Sequence, residues 1–209
     1  MKNFNFFAFS ICFLFLFNET FKTTTPNFDL PSEYTFTLGY KTMTPEENYK
    51  EFVKDKTPFE TNFHDGQYYV VLQFFKPPTT TQEALMKKHI QLICPVSANT
   101  YVVALTKKIS KRKLRKYKVR AIVPLETRMK IEKGLIERTQ EQARAEINLV
   151  VSKSIEKEFI KQELENRKAD YQSEFYRETT NMHYISIDSS QINQYAALPW
   201  IIGIKKGGL

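Results

Sequence analysis

The sequence predicts an α+β fold made of two tandem copies of one small module, strand–helix–strand–strand–helix–strand, behind an apolar N-terminal segment and an irregular leader. Three observations carry this. Between Gly66 and Leu125, strand and helix signals alternate only a few residues apart. A diverged copy of the same order runs from about Ala145 to Lys205. Neither copy contains a recognisable catalytic motif, which argues for a binding protein rather than an enzyme.

The first residues set the expected compartment. Lys2 provides a short positive region, and Phe6 to Phe17 is an almost unbroken apolar run. That length suits a signal peptide and is short for a membrane span. We read residues 1–18 as a signal peptide and the rest as secreted, periplasmic or at the cell surface. No small-x-small cleavage site is visible near Asn18 to Lys22, so membrane attachment would come only through an uncleaved segment. Cys12 lies inside this segment, which leaves Cys94 with no disulfide partner. Its neighbours Leu92, Ile93 and Val96 mark it as a small hydrophobe on a buried strand.

Residues 19–65 show no sustained period. Pro26, Pro31, Pro45 and Pro58 punctuate them, and they read as an extended leader, with a β-prone piece at Tyr34 to Leu38. The first module, 66–127, opens with the β-branched and aromatic run Gln67 to Phe75, a buried strand ended by Pro77 and Pro78. Thr80 and Glu83 have capping-box spacing for a helix ending near His89. Ile90 to Val96 and Thr100 to Leu105 are strands joined by the turn Ser97-Ala98-Asn99. Ser110 caps a short basic helix with Leu114 inward, and Val119 to Leu125 is the fourth strand.

Residues 128–144, rich in Glu, Arg and Gln, read as a helical connector. The second module, 145–206, begins with the strand Glu146 to Val151. Ser154 then caps a helix whose Ile155, Phe159, Ile160 and Leu164 form one apolar stripe. Asp170 to Arg177 and His183 to Ile187 are the next strands. Ser189 or Ser190 caps a short helix, and Trp200 to Ile204 is the last strand. This βαββαβ order fits a ferredoxin-like sandwich, an antiparallel four-stranded sheet with two helices on one face. Each core would be small, so the modules are expected to pack together or to need a partner.

The run from Tyr68 to Leu105 resembles the N-terminal propeptide of secreted bacterial subtilisin-like serine proteases. Leu72, Gln73, Phe74, Pro78, Ile90, Pro95, Asn99 and Tyr101 stand at that pattern's places. Arg120-Ala121-Ile122-Val123-Pro124 and Lys130 match its later segment, and Tyr195-Ala196-Ala197-Leu198-Pro199-Trp200-Ile201 resembles its final element. The resemblance covers about Asn62 to Lys205. His89 replaces the usual glycine after the first helix, and the protease's Asp-Ser/Thr-Gly, His-Gly-Thr and Gly-Thr-Ser-Met motifs are missing from the sequence. The resemblance implies a subtilisin-like serine protease as partner, with this chain as inhibitor or folding chaperone. The tail Lys205, Lys206, Gly207, Gly208 and Leu209 would then lie in the protease cleft as an added strand. A frayed terminus is the simpler reading of the same residues.

The net charge is +8, and its densest source is a stretch with no acidic residue: Lys107, Lys108, Lys111, Arg112, Lys113, Arg115, Lys116, Lys118 and Arg120. This stretch reads either as a solvated helix face or as a surface for an anionic partner. Nucleic acid is disfavoured by the export signal and by thin aromatic interleaving, with Tyr117 alone inside the stretch. His64, His89 and His183 are isolated, so no metal site, cofactor or small-molecule substrate is expected. The carboxylates from Glu156 to Glu165 read as a solvated face, and Ser97, Ser152 and Ser189 as turn or cap residues. Three readings therefore compete: binding a subtilisin-like protease, binding an anionic partner at the envelope or surface, and a remnant propeptide separated from its protease.

Overall fold

A computed structural model describes residues 33–171 and 181–207. The protein is a mixed α+β chain with antiparallel sheets. Residues 1–18, expected to be a signal peptide, most of the strand expected at Asp170 to Arg177, and the tail residues Gly208 and Leu209 lie outside the described residues.

The segment from Glu33 to Asp65 differs from the expected extended leader. It forms a hairpin of β1 (Phe36–Leu38) and β2 (Lys41–Met43), then α1 (Tyr49–Lys54), a 3-10 turn (Thr57–Asn62) and β3 (Phe63–His64). Its apolar residues follow no period because tertiary contacts fix them. Phe36 joins one core, while Tyr49, Phe52 and Phe59 join another. Phe52 makes edge-on contacts with Phe59 and Tyr68, at 4.8 and 5.6 Å between centroids.

The first large sheet contains β4 (Gln67–Phe74), β5 (Ile90–Ser97), β6 (Thr100–Thr106) and β7 (Val119–Pro124). Helix α2 (Thr80–Met86) joins β4 to β5, and α3 (Lys111–Lys116) joins β6 to β7. The spatial order is β5–β6–β4, with β7 and the short β3 along the other edge of β4. Tyr68 to Phe74 is buried throughout, which explains its continuous apolar sequence: both faces of β4 are covered. Tyr68, Val70, Leu72 and Phe74 share a core with Met86 of α2 and Leu114 of α3. Tyr69 and Val71 point the other way, into a core shared with the C-terminal half.

The N-cap of α2 is Thr79, one residue earlier than the expected Thr80. Its side chain accepts from the Gln82 N–H, while Gln82 accepts from the Thr79 N–H. The outer edge of β7 is closed by a side chain. Asn48 accepts from the Ile122 N–H at 2.7 Å and donates to the Ile122 carbonyl at 3.0 Å, replacing one rung of a missing strand.

The connector holds two short helices, α4 (Thr127–Lys130) and α5 (Leu135–Thr139), instead of one. The second sheet contains β8 (Arg144–Val151), β9 (Asp170–Tyr171), β10 (Met182–Asp188) and β11 (Ile201–Lys206), in the order β11–β8–β10–β9. Helices α6 (Lys157–Asn166) and α7 (Ile192–Ala196) lie in its connections. Counted within each half, both sheets have their strands in the order fourth, first, third, second.

Ser154 is not the cap of α6. It lies before the helix, where its hydroxyl meets the Tyr69 hydroxyl at 3.1 Å and thereby ties the two halves together. The turn after β10 is capped by Asp188, which accepts from the Ser190 N–H at 2.8 Å, so Ser189 and Ser190 are capped residues rather than caps. Of the expected stripe on α6, Ile160 and Leu164 are fully buried, and Phe159 packs edge-on against Trp200. Among the described residues, no helix is long and apolar enough to cross a membrane.

A candidate anion-binding surface

Ser110 begins α3 in extended conformation and accepts from the Lys113 N–H at 3.4 Å. Leu114 is the helix's buried anchor, and Ile109 and Tyr117 are buried on either side. Fixing these three leaves Lys107, Lys108, Lys111, Arg112, Arg115, Lys116 and Lys118 exposed. Among the described residues, no carboxylate lies within salt-bridge distance of any of them. The ion pairs that do form are elsewhere, for example Lys41–Glu126 and Arg138–Glu132.

Three of the nine basic residues have local contacts, and the Lys107 ammonium lies 4.9 Å from the centre of the Phe63 ring while staying exposed. Lys113 sits against the His89 ring, and burial followed by the Lys113 and Lys88 charges holds the His89 imidazole below its usual pKa. Arg120 leaves the cationic surface altogether. Its Nη1 donates to the Pro45 carbonyl at 2.6 Å and to Gln73 Oε1 at 2.7 Å, and its guanidinium lies 4.1 Å from the centre of the Tyr34 ring. Gln73 in turn donates to the Tyr34 carbonyl at 2.8 Å. Arg120 is thus a clamp for the N-terminal segment. Position in a basic run gives no hint of this, because the partners come from distant residues.

Beside the C-terminal end of α3 lies an open groove of about 580 Å³. Sequence reasoning missed it, since Tyr49, Phe75 and the Arg115–Lys118 pair come together from three separate segments.

The tail residues are only partly available. β11 runs two residues beyond the expected Ile204, with Lys205 opposite Asn148 and Lys206 opposite Ile147. The Gly207 N–H continues the ladder to the Glu146 carbonyl at 2.8 Å. A Cβ on Gly207 would lie 2.7 to 2.8 Å from the Glu146 backbone and the Tyr184 ring, so the close approach requires glycine.

Cys94 is half-buried on β5, and burial pushes its thiol pKa up, away from reactivity. His64, His89 and His183 stay apart in the fold, and no group of three or more metal-ligating side chains occurs among the described residues. His183 is buried with Nδ1 3.2 Å from the Tyr171 hydroxyl, and burial holds its pKa down to about 4.

A family model described as a domain of unknown function, DUF8729, matches residues 34–126. That span starts at Tyr34, held by Gln73 and Arg120, and ends just after β7. It therefore joins the N-terminal segment to the first sheet as one unit. No curated protein and no solved structure matches the chain.

Proposed function

We propose that this is a non-enzymatic, exported binding protein that recognises an anionic partner through the cationic surface of α3. The observation that carries the reading is the run of seven exposed basic side chains with no carboxylate near enough to neutralise them. Like charges gathered without counterions repel one another, and an anionic surface relieves that repulsion while releasing its own counterions. The N-terminal apolar run supports export, and the shared strand order supports reading each half as a ferredoxin-like sandwich.

Retention on a sulfated polysaccharide (heparin) column tests the function. The parent chain is expected to bind with strong salt dependence. The triple variant Lys111→Glu, Arg112→Glu, Lys116→Glu is expected to lose retention, with the slope of log K against log salt falling by roughly three. Equal elution of parent and variant would overturn the reading.

A second reading is a stand-alone propeptide-like partner of a subtilisin-like protease. The repeated strand order favours it. Lys205, Lys206 and Gly207 are already paired with β8, so an insertion by the tail would rest on Gly208 and Leu209 or require the end of β11 to leave β8. Tail-dependent competitive inhibition of purified subtilisin is the expected result. Digestion of the chain without inhibition counts against it.

A further inference from the structure

The groove at the end of α3 has an unusual combination of walls. Tyr49, Phe75, Pro77 and Val119 make it apolar, and Phe75 is 38% exposed although it is a large aromatic. Lys76, Arg115 and Lys118 bring three cations to the same concavity, and no carboxylate lines it. The polar groups of Thr79 and Gln82 that cap α2 face one another, so the remaining charge belongs to the three cations.

Lys118 carries the second observation. Its φ is +59°, the left-handed conformation in which glycine is relaxed and a residue with a Cβ is strained. Its N–H donates to the Arg115 carbonyl at 3.1 Å, and its carbonyl accepts from the Phe75 N–H at 3.0 Å. The residue that joins the two walls is therefore a strained lysine where glycine would be easier for the fold.

We propose that this groove is a docking site for an acidic peptide segment bearing an aromatic or large aliphatic side chain. The apolar side chain packs between Phe75 and Pro77, and flanking carboxylates meet Arg115 and Lys118. A groove of this size accepts one large side chain with its neighbouring backbone. Its concavity suits a peptide better than a bilayer, which requires protruding apolar residues on a flat face. The inference rests on the proposed anion-binding role of α3 and adds the site and the ligand class.

The test uses a fluorescent hexapeptide of glutamates interrupted by one phenylalanine, the same peptide with serine in place of the phenylalanine, and vesicles containing phosphatidylglycerol. Fluorescence anisotropy with the full chain is expected to show the phenylalanine peptide binding about tenfold more tightly than the serine peptide. Phe75→Ser should remove most of that preference, and Lys118→Gly should weaken binding of both peptides several-fold while raising the unfolding midpoint. Lys168→Gly is the control: Lys168 shares the same φ of +59° after α6 but lies away from the groove, so it should stabilise the protein without changing affinity. If neither peptide binds while the chain is still retained on heparin, the docking assignment fails and the anion-binding role stands; loss of both overturns the role itself. If both bind equally and Lys118→Gly changes nothing, only the groove assignment fails. Binding to vesicles with no peptide preference would also overturn it, in favour of a membrane surface.

Discussion

Raising the pH from 6.5 to 9.5 is expected to stabilise the protein, and Lys130→Met is expected to abolish most of that gain. Lys130 is 3% exposed, at the end of α4, with its Nζ donating to the Leu198 carbonyl at 2.8 Å. The same cavity contains Glu126, but that carboxylate is paired with Lys41 at 2.5 Å, and no carboxylate among the described residues pairs with Lys130. Burial lowers the Lys130 pKa from 10.5 to about 7. Below pH 7 both folded and unfolded chains carry the proton, and the folded state bears the full cost of a buried ammonium. Between pH 7 and 10.5 the unfolded chain still binds the proton while the folded chain has released it, so stability rises with pH. The slope approaches about 1.4 kcal/mol per pH unit, or several kcal/mol over the window. Methionine has nearly the same length and no charge. The Leu198 carbonyl keeps a donor in the Ile201 N–H at 3.3 Å, so no acceptor is orphaned. Urea unfolding of parent and variant across this range decides the matter. The variant should be more stable by about 1–3 kcal/mol at pH 6.5, with the two curves converging near pH 9.5. Parallel curves would show that Lys130 does not titrate in this range.

Lys130 also shows why part of the structure was not legible in the sequence. Within Thr127-Arg128-Met129-Lys130 it looks like a surface lysine, and only the flanking Met129 and Ile131 suggest burial. What covers it is the turn around Leu198, far away in the chain. Most strands, by contrast, were legible within two residues. β4, β5, β6 and β7 each carry a run of β-branched or aromatic residues bounded by Pro, Ser-Ala-Asn or a helix cap, and these local signals are enough.

The helix starts were read less well. Thr79 and Asp188 each compete with a neighbouring hydroxyl, and the choice depends on which can reach a free N–H, whereas no side chain caps the first turn of α6. The basic run was legible as composition but not as a surface. Separating Arg120 from its neighbours required knowing that Gln73, Pro45 and Tyr34 converge on it. The N-terminal segment failed for a related reason. Its buried aromatics Phe36, Tyr49 and Phe52 fall on a hairpin and a short helix too brief to show a period.

The Gly39→Ala substitution is expected to cost about 3 kcal/mol or more, well above the cost of Gly66→Ala. Both glycines have left-handed φ, +57° and +75°, so both substitutions incur the same conformational penalty of about 1–2 kcal/mol. Their surroundings separate them. A Cβ on Gly66 meets nothing within 4 Å. A Cβ on Gly39 would lie 2.4 to 2.7 Å from the carbonyl oxygens of Arg128, Met129 and Ile131. These are backbone atoms of the connector and cannot rotate away. The adjacent Tyr40 N–H donates to the Arg128 carbonyl at 3.1 Å, so relieving the clash means undocking the β1–β2 turn. Undocking exposes Phe36 and loosens the cover over Met129, both fully packed in the core shared by the two halves. The N-terminal hairpin therefore contributes to the stability of the C-terminal half, although the matched family span stops at residue 126. Thermal unfolding of the two variants separates the terms. Equal losses would mean that backbone conformation alone sets the cost and that the hairpin is not held against the connector. A larger loss for Gly39→Ala, together with faster proteolysis between residues 127 and 134, would establish the docking as part of the fold's cooperative unit.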